Sequence, residues 1–422
     1  MNILKDDGHY FTSYPSLNHW TEDFQHPQYV EALSSFTGPL HLYLHIPFCK
    51  KLCSYCICNI IISNDRQKIQ FFVDKLLKEI DLLKEFHPDI RDIHFGGGTP
   101  SHLDQKQFSQ LCEKLEELVN LHSLSEVAME IDPRTVNRED LKHYASHGVN
   151  RISFGVQDFD LKVQEAINRV QPPEMIEELL EERQLFSVNF DLLYGLPFQT
   201  HQTIEDTVNR TLEMRPERIT VLKYCHAPEV RRHMKLINVT DLPSPDELPL
   251  MFRNIAETLT GSGYEWIGLD HFCLPTDSLA KRHVRTFNGF SAGSREMIGL
   301  GPTSTGVFGE VYCQAHYDLK EYYAAIDRGE FPILRGYRMT PEDLRRREVI
   351  FSLLSHQRVV LEGFEREREI LSHYPSICRF EGDTLIVTDR YRVRNVCKAF
   401  DVKDVKPEHL KIAQKSMTLR AA

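Results

Sequence analysis

Four cysteines lie within one short segment, HIPFCKKLCSYCICN, with the spacing C-x3-C-x2-C-x-C from Cys49 to Cys58. Thiolates are soft ligands that bind iron–sulfur clusters or zinc. The segment has neither the paired C-x2-C motifs of zinc ribbons nor the four-cysteine run of ferredoxins. Thiolates from Cys49, Cys53 and Cys56 would leave one iron of a cubane cluster open to a substrate, although a structural zinc site or buried free thiols also fit the spacing.

The elements that position these cysteines follow a βα pattern between about residue 40 and residue 224. Short apolar segments alternate with longer amphipathic ones, which is typical of parallel strands connected by helices. Helices are predicted at 66–86, 104–119 and 200–214, where apolar residues recur at helical spacing. Six strands are predicted, at 41–46, 92–95, 127–131, 151–154, 188–194 and 218–224.

Six βα units are fewer than the eight of a closed barrel, so the sequence predicts an α/β fold with an open, partial (β/α)6 barrel. Other segments must then cover its cavity. The expected organisation is an N-terminal arm (1–39), the barrel (40–240), a barrel extension with the substrate cavity (241–335) and a smaller, mainly helical C-terminal domain (336–422). That domain should open with a helix at 340–356, capped by Thr340 with Pro341 in its first turn, and contain a β-hairpin at 377–388.

Glycine, proline and polar residues directly follow most predicted strands, in GGGTP, DPRT, GVQD and GLPFQT. The carboxyl ends of parallel strands meet at one edge, where α/β proteins place their sites. A glycine run lets the backbone approach a ligand closely, although GGGTP could also be a simple turn. Carboxylates and amides suit hydroxyl and ammonium groups and arginine suits a carboxylate, but a single carboxylate after a strand is also a common helix cap.

Composition limits the class of protein. The chain has 422 residues, 41% of them hydrophobic and 26% charged, which suffices for a large core without disulfides. The polar, charged start is unlike a signal peptide, and no apolar run reaches the roughly 18 residues of a membrane helix. We therefore expect a cytoplasmic protein without a membrane partner. The formal charge of −11 disfavours a nucleic-acid partner.

Taken together, the motifs resemble the radical S-adenosylmethionine superfamily and, more narrowly, the oxygen-independent coproporphyrinogen III oxidases. The resemblance covers nearly the whole chain, through FTSYPS, YLHIPFC, FGGGTPS, EIDPRT, ISFGVQDF, INR, DLLYGLP, DHF and RNVCKAFD. It implies a radical-SAM partial barrel, a [4Fe–4S] cluster, two S-adenosylmethionine molecules, an unidentified electron donor and a monomer. The implied reaction converts two propionates of a porphyrinogen to vinyl groups in haem biosynthesis, through a 5′-deoxyadenosyl radical.

The resemblance also implies roles for individual residues. Cys49, Cys53 and Cys56 match the cluster ligands. Cys58 matches a fourth cysteine that is not a ligand but lies near the reaction, although a small buried hydrophobe is the alternative. With Cys58, Tyr43 is a candidate catalytic residue and a contact of the first S-adenosylmethionine. The other cofactor-binding positions implied are Tyr55 beside the cluster, Gly97, Gly98, Thr99 and Glu130 for the first molecule, Gln157, Arg169 and Asp191 for the second, and Cys225.

The implied substrate carries four carboxylates, so local basic groups are expected on this acidic chain. Lys281, Arg282, His283 and Arg285 form a basic run just before Asn288. Because arginine pairs bidentately with carboxylates, we expect Arg285 and Asn288 to contact the substrate. A solvated loop would also explain the run.

The expected function is decarboxylation of coproporphyrinogen III to protoporphyrinogen IX, and two others use the same cluster. A radical-SAM haem chaperone would have phenylalanine at the Cys58 position and would lack the FTSYPS arm. The third possible function is that of a radical-SAM methyltransferase or a haem-degrading paralogue. The chain departs from the family pattern at NGF and GPTSTG, in or near the expected substrate cavity, and such changes fit a different substrate. Tightly bound haem would indicate the chaperone, and a methylated product the methyltransferase.

Overall fold

Six parallel strands form the centre of the molecule in a computed structural model that describes residues 3–4, 11–287 and 289–403. Each strand pairs in parallel with the next along the chain. All six predicted strands are confirmed. Their bounds are β1 Pro39–Ile46, β2 Asp89–Gly97, β3 Glu126–Ile131, β4 Arg151–Gln157, β5 Ser187–Tyr194 and β6 Arg218–Lys223.

Six further strands extend this sheet at both edges. They are β7 Glu265–Gly268, β8 His271–Cys273, β9 Met297–Leu300, β10 Thr305–Phe308, β11 Val311–Ala315 and β12 Ile333–Arg338. The strand order is β12-β11-β10-β9-β1-β2-β3-β4-β5-β6-β8-β7. Strand β9 is parallel to β1, and β8 is antiparallel to β6. The twelve-stranded sheet stays open, which confirms the predicted partial barrel.

Thirteen helices are described, and capping residues fix where several of them begin. The Asp65 side chain accepts the backbone N–H groups of Gln67 and Lys68 at the start of α2, and Thr340 caps α11 as predicted. The helices are α1 His26–Ser35, α2 Arg66–Lys84, α3 Gln105–Glu116, α4 Arg138–Ser146, α5 Leu161–Ala166, α6 Pro173–Leu179, α7 His201–Met214, α8 Glu247–Gly261, α9 Ser278–Lys281, α10 Leu319–Asp327, α11 Pro341–His356, α12 Glu365–Ser372 and α13 Val393–Cys397. None of these helices has the length and apolar character that crossing a membrane requires.

Side chains alternate between two environments along β3 to β6. One set is apolar and buried in the main core, for example Met129, Phe154 and Phe190. Parallel strands covered on both faces are usually apolar throughout, whereas the other face here is polar and lines a cavity. Its residues, in register across the strands, are Glu126, Glu130, Arg151, Ser153, Asn189, Asp191, Arg218 and Thr220.

A second core joins the two ends of the described chain. Phe11 and Tyr14 of the N-terminal arm are buried in the same cluster as Ile350, Leu385 and Phe400. The predicted hairpin is confirmed, as strands Cys378–Glu381 and Thr384–Val387, and an unpredicted strand, Arg358–Val360, pairs with the second of them. The arm therefore packs on the C-terminal region rather than extending alone.

A buried carboxyl group ties α2 to the segment after β9. One oxygen of Glu79 accepts the Tyr322 hydroxyl at 2.6 Å and the Gly301 backbone N–H at 2.8 Å. Burial raises the pKa of Glu79 from the usual 4.5 to about 7, although both hydrogen bonds oppose that rise. Between pH 4.5 and about pH 7, the Glu79 carboxyl group is protonated in the folded state but ionised in the unfolded state. The contribution of Glu79 to the stability of the folded state therefore falls as pH rises through this range.

We expect Glu79→Gln to be more stable than the wild type at pH 8, by roughly 2 to 3 kcal/mol, and nearly equal to it at pH 5. Glutamine keeps an acceptor oxygen for Tyr322 and Gly301 without a charge to bury. Urea unfolding at both pH values measures the difference, with exposed Glu85→Gln as the matched control. A Glu79→Gln protein that gained nothing between pH 5 and pH 8 would contradict the raised pKa.

Candidate active site

A cavity of about 540 Å³ opens at the carboxyl ends of the parallel strands and continues along their polar face. It gathers residues that are far apart in sequence. The predicted site residues that line it are Cys49, Cys53, Tyr55, Cys56, Cys58, Gly97, Gly98, Thr99, Glu130, Gln157, Arg169, Asp191 and Cys225.

The cysteine segment follows β1 and contributes all four of its thiols to this cavity. Cys49 lies in a short strand, Phe48–Cys49, and its sulfur accepts the Thr99 hydroxyl at 3.2 Å. Burial raises the pKa of Cys49 to about 12, so its thiolate requires a cationic partner such as iron. Cys58 is exposed to the cavity, which argues against the buried-hydrophobe alternative.

The donor set fits an iron–sulfur cluster. Among the described residues, no three His, Cys, Asp or Glu side chains stand close enough to share one metal ion. A [4Fe–4S] cluster does not require this, since each thiolate binds a different iron. Cys49, Cys53 and Cys56 would hold the cluster from the wall of the cavity.

Two guanidinium groups flank Cys53. Arg134 Nη2 lies 3.5 Å and Arg169 Nη1 lies 3.6 Å from its sulfur. Asp132 accepts hydrogen bonds from both arginines, and although burial opposes it, these two cations lower the pKa of Asp132. Arg169 Nη2 donates to the Gly155 carbonyl, while its buried Nε has no hydrogen-bond partner among the described residues. That free donor suits an anionic ligand group.

Glu130 and Tyr43 belong to a second polar group at the ends of β1 to β3. Glu130 accepts hydrogen bonds from His94 Nε2 at 3.0 Å and from the Gly97 backbone N–H at 3.1 Å. Burial opposes ionisation, but these bonds keep the pKa of Glu130 below its usual value. Tyr43 does not line the cavity. Its hydroxyl donates to His45 Nδ1 at 3.2 Å, and burial lowers the pKa of His45 to about 4, so the imidazole is neutral.

The glycine run at the end of β2 packs against the cysteine segment. A Cβ on Gly97, where φ is +112°, would lie 2.7 Å from the His45 ring. A Cβ on Gly98 would lie 2.8 Å from the carbonyl of Pro47. These glycines therefore permit contact between two strand ends, in addition to lining the cavity.

The positions expected to bind the second cofactor molecule lie on β4 and β5. Gln157 follows an irregularity in the pairing of these strands and has a φ of +67°. Asp191 accepts the Ser153 hydroxyl at 2.7 Å and the Asn189 amide at 2.9 Å. Burial raises the pKa of Asp191. Both side chains face the same cavity as the cysteines.

Arg285, expected to contact the substrate, lies in a short hairpin beside the cavity. Its side chain is fully buried, donates from Nη1 to the Gly289 carbonyl at 2.7 Å and lies over the Phe290 ring. It stabilises the turn of a short hairpin and is absent from the lining of the cavity, to which its neighbour Thr286 contributes. Asn288 lies outside the described residues.

Sequence reasoning missed an arginine that anchors the cysteine segment. Arg231 is buried, donates from Nε to the Ile57 carbonyl at 2.8 Å, and donates from Nη2 to the Asn59 side chain. Nearby, His233 Nε2 donates to the Cys56 carbonyl at 2.7 Å. Only the spacing of RRH after β6 could have drawn attention to these residues, and that spacing has no specific meaning by itself.

We expect Arg231→Met to lower iron loading and to loosen residues 56–59, because the Ile57 carbonyl and the Asn59 side chain, both in part-buried hydrogen bonds, lose their charged donor. Such a loss costs about 1.5 to 3 kcal/mol. Iron per protein after anaerobic reconstitution and amide hydrogen exchange measure the two effects. The adjacent Arg232 is exposed, so Arg232→Met is the control. Equal iron and equal exchange in the two variants would show that Arg231 does not hold the segment.

Known proteins share both the sequence and the architecture of this chain. A family model described as the Radical SAM superfamily matches residues 43–211. Oxygen-independent coproporphyrinogen III oxidases of Pseudomonas aeruginosa and Escherichia coli are 35% and 34% identical to it, each over 93% of this chain and 92% of the relative. The solved structure of the Escherichia coli oxidase, a radical SAM enzyme, matches with a TM-score of 0.88 and 33% identity, over 93% of this chain and 97% of that chain. The chain therefore belongs to the oxygen-independent coproporphyrinogen III oxidase family of the radical SAM superfamily.

Proposed function

We propose that this protein converts coproporphyrinogen III to protoporphyrinogen IX without oxygen, using a [4Fe–4S] cluster and two S-adenosylmethionine molecules. One observation carries the proposal. The three expected cluster ligands, Cys58 and the positions expected to bind the second S-adenosylmethionine all line one cavity, in a chain that belongs to the family. When bound, the cluster and S-adenosylmethionine would supply a 5′-deoxyadenosyl radical, which abstracts a hydrogen atom from each reacting propionate. Loss of carbon dioxide, with one electron passing to a separate electron acceptor, would then give each vinyl group.

The residues of the cavity bind and orient. Cys49, Cys53 and Cys56 hold the cluster. The Glu130 carboxylate, kept ionised by its hydrogen bonds, suits cofactor hydroxyl or ammonium groups, and the free Nε of Arg169 suits a cofactor carboxylate.

The carboxylates of the substrate require cationic side chains in the lining of the cavity. Lys51 and Lys223 are exposed lining residues, and we assign to them the carboxylate contacts that sequence reasoning gave to Arg285. We further propose that the enzyme is a cytoplasmic monomer that receives electrons from a separate donor.

Alanine at Cys49, Cys53 or Cys56 should abolish the cluster, since two remaining protein thiolates leave a second iron without a protein ligand. Iron content and brown absorbance after anaerobic reconstitution measure this loss. Cys112→Ala, at a buried position of α3 in the main core, is the control and should retain iron. Full iron in all three variants would refute the ligand assignment.

Cys58→Ala should keep a full iron load while losing product formation, because Cys58 faces the cavity without being a cluster ligand. The measurement pairs iron content with protoporphyrinogen formation. Loss of the cluster in this variant would make Cys58 a ligand, and normal product formation would remove it from the reaction.

The reduced, cluster-loaded protein should consume S-adenosylmethionine and release methionine, 5′-deoxyadenosine and two carbon dioxide molecules per coproporphyrinogen III. Anaerobic chromatography of porphyrins and nucleosides measures both sides of the reaction, with the Cys53→Ala protein as the blank. Cleavage of S-adenosylmethionine with unchanged coproporphyrinogen, under adequate reductant and acceptor, would refute this substrate.

A further inference from the structure

A second cavity, of about 300 Å³, lies on the other side of β6 from the cysteines. Along β6, Thr220 lines the cysteine cavity, Val221 lines the second one, and Lys223 contributes to both. Helix α8, strand β7, residues 269–270, residues 390–394 and Tyr194 of β5 form its remaining walls. The volume is at the lower end of the range for small-molecule sites. None of the residues that hold the cluster or the cofactors in the proposed function lines this cavity.

The walls of this second cavity are aromatic. Trp266 and Tyr391 lie with ring centroids 5.1 Å apart, and Phe252 contacts both of them and Tyr194. The rings are fixed in place, since Trp266 Nε1 donates to the Leu269 carbonyl at 3.0 Å. Adjacent rings of this kind provide flat surfaces on which another planar system can stack.

Four arginines, Arg253, Arg390, Arg392 and Arg394, line the same cavity. Arg253 lies over the Tyr391 ring at 4.3 Å and Arg390 over the Trp266 ring at 4.4 Å. Within the described chain, none of the four pairs with a carboxylate. The single acid in the lining, Asp270, accepts a hydrogen bond from His271 Nδ1.

Within the described residues these cations have no carboxylate partners, which is unusual for a chain with a formal charge of −11. Arg390 is half-buried, and burial lowers its pKa because its charge has lost part of its hydration. Its Nη2 donates to the Trp266 carbonyl, but a neutral carbonyl does not balance the charge, and an anion beside the arginine cluster would do so. A solvated arginine cluster would not need a cavity with aromatic walls.

We propose that this cavity binds a planar aromatic anion, whose ring system stacks against the walls near Trp266 and Tyr391 and whose carboxylate or phosphate pairs with Arg392 and Arg394. Two sources have this chemistry. One is a flavin phosphate, and the other is one edge of a porphyrin carboxylate. Apart from Lys223, which lines both cavities, the site shares no lining residue with the cavity of the proposed reaction, and its test does not depend on turnover.

Calorimetric titration of the cluster-loaded protein under anaerobic conditions tests the site, with flavin mononucleotide and protoporphyrin IX as probes. Riboflavin has the ring of flavin mononucleotide without its phosphate and serves as the neutral probe. We expect saturable binding of at least one anionic probe, with one molecule per chain. Binding of the flavin alone identifies a flavin phosphate as the ligand, and binding of the porphyrin alone identifies a tetrapyrrole carboxylate.

The double variant Arg392→Gln/Arg394→Gln should weaken that binding at least ten-fold, since each lost charge-assisted bond changes affinity by about that factor or more. Arg358→Gln, an exposed arginine outside the cavity, is the control and should bind as the wild type does. Unchanged iron content shows that the double variant is folded. The proposal is overturned if neither anion binds, if the double variant binds as tightly as the wild type, or if riboflavin binds as tightly as its phosphate.

Discussion

The structure depends on the alternation of side chains along six parallel strands. One face sends apolar side chains such as Phe154 and Phe190 into the core against the helices. The other face carries polar groups into a cavity instead of a second core. Because the strands are parallel and in register, a polar residue on one strand stands beside a polar residue on the next, as Ser153 does beside Asn189. A closed, fully apolar barrel would leave no room for a cluster and cofactors.

A polar interior face is stable only if its charges are paired. Glu126 accepts Arg151 at 2.6 Å and Arg218 at 2.8 Å, and Arg218 also pairs with Asp277. Although burial opposes it, these arginines keep the pKa of Glu126 well below its usual value. The network joins β3, β4 and β6 at the base of the cavity. Near the cysteines, by contrast, the buried Nε of Arg169 has no partner within the described part of the chain, and a ligand can satisfy it.

The sheet also separates two sites of different chemistry. The thiols, carboxylates and amides of the first cavity lie at the strand ends, where backbone geometry is fixed by pairing on both sides. The rings and guanidiniums of the second are supplied by α8, β7 and the 390–394 segment, which pack over the edge of the sheet. Thus one strand, β6, is shared by a site for metal chemistry and by a basic aromatic cavity.

The sequence by itself determined the six parallel strands and the helix start at Thr340 and predicted the cluster ligands, because periodicity, capping and cysteine spacing are local properties. It also predicted Glu130 and Gln157 at or just after strand ends and Asp191 within a strand, although their shared cavity followed from the parallel topology. It could not determine that Arg285 is buried beneath a hairpin turn or that Arg231 holds the cysteine segment. Those contacts join residues that are close only after folding, such as Arg231 and Ile57, 174 positions apart. Tertiary packing therefore decided which cations face the ligands and which support the backbone.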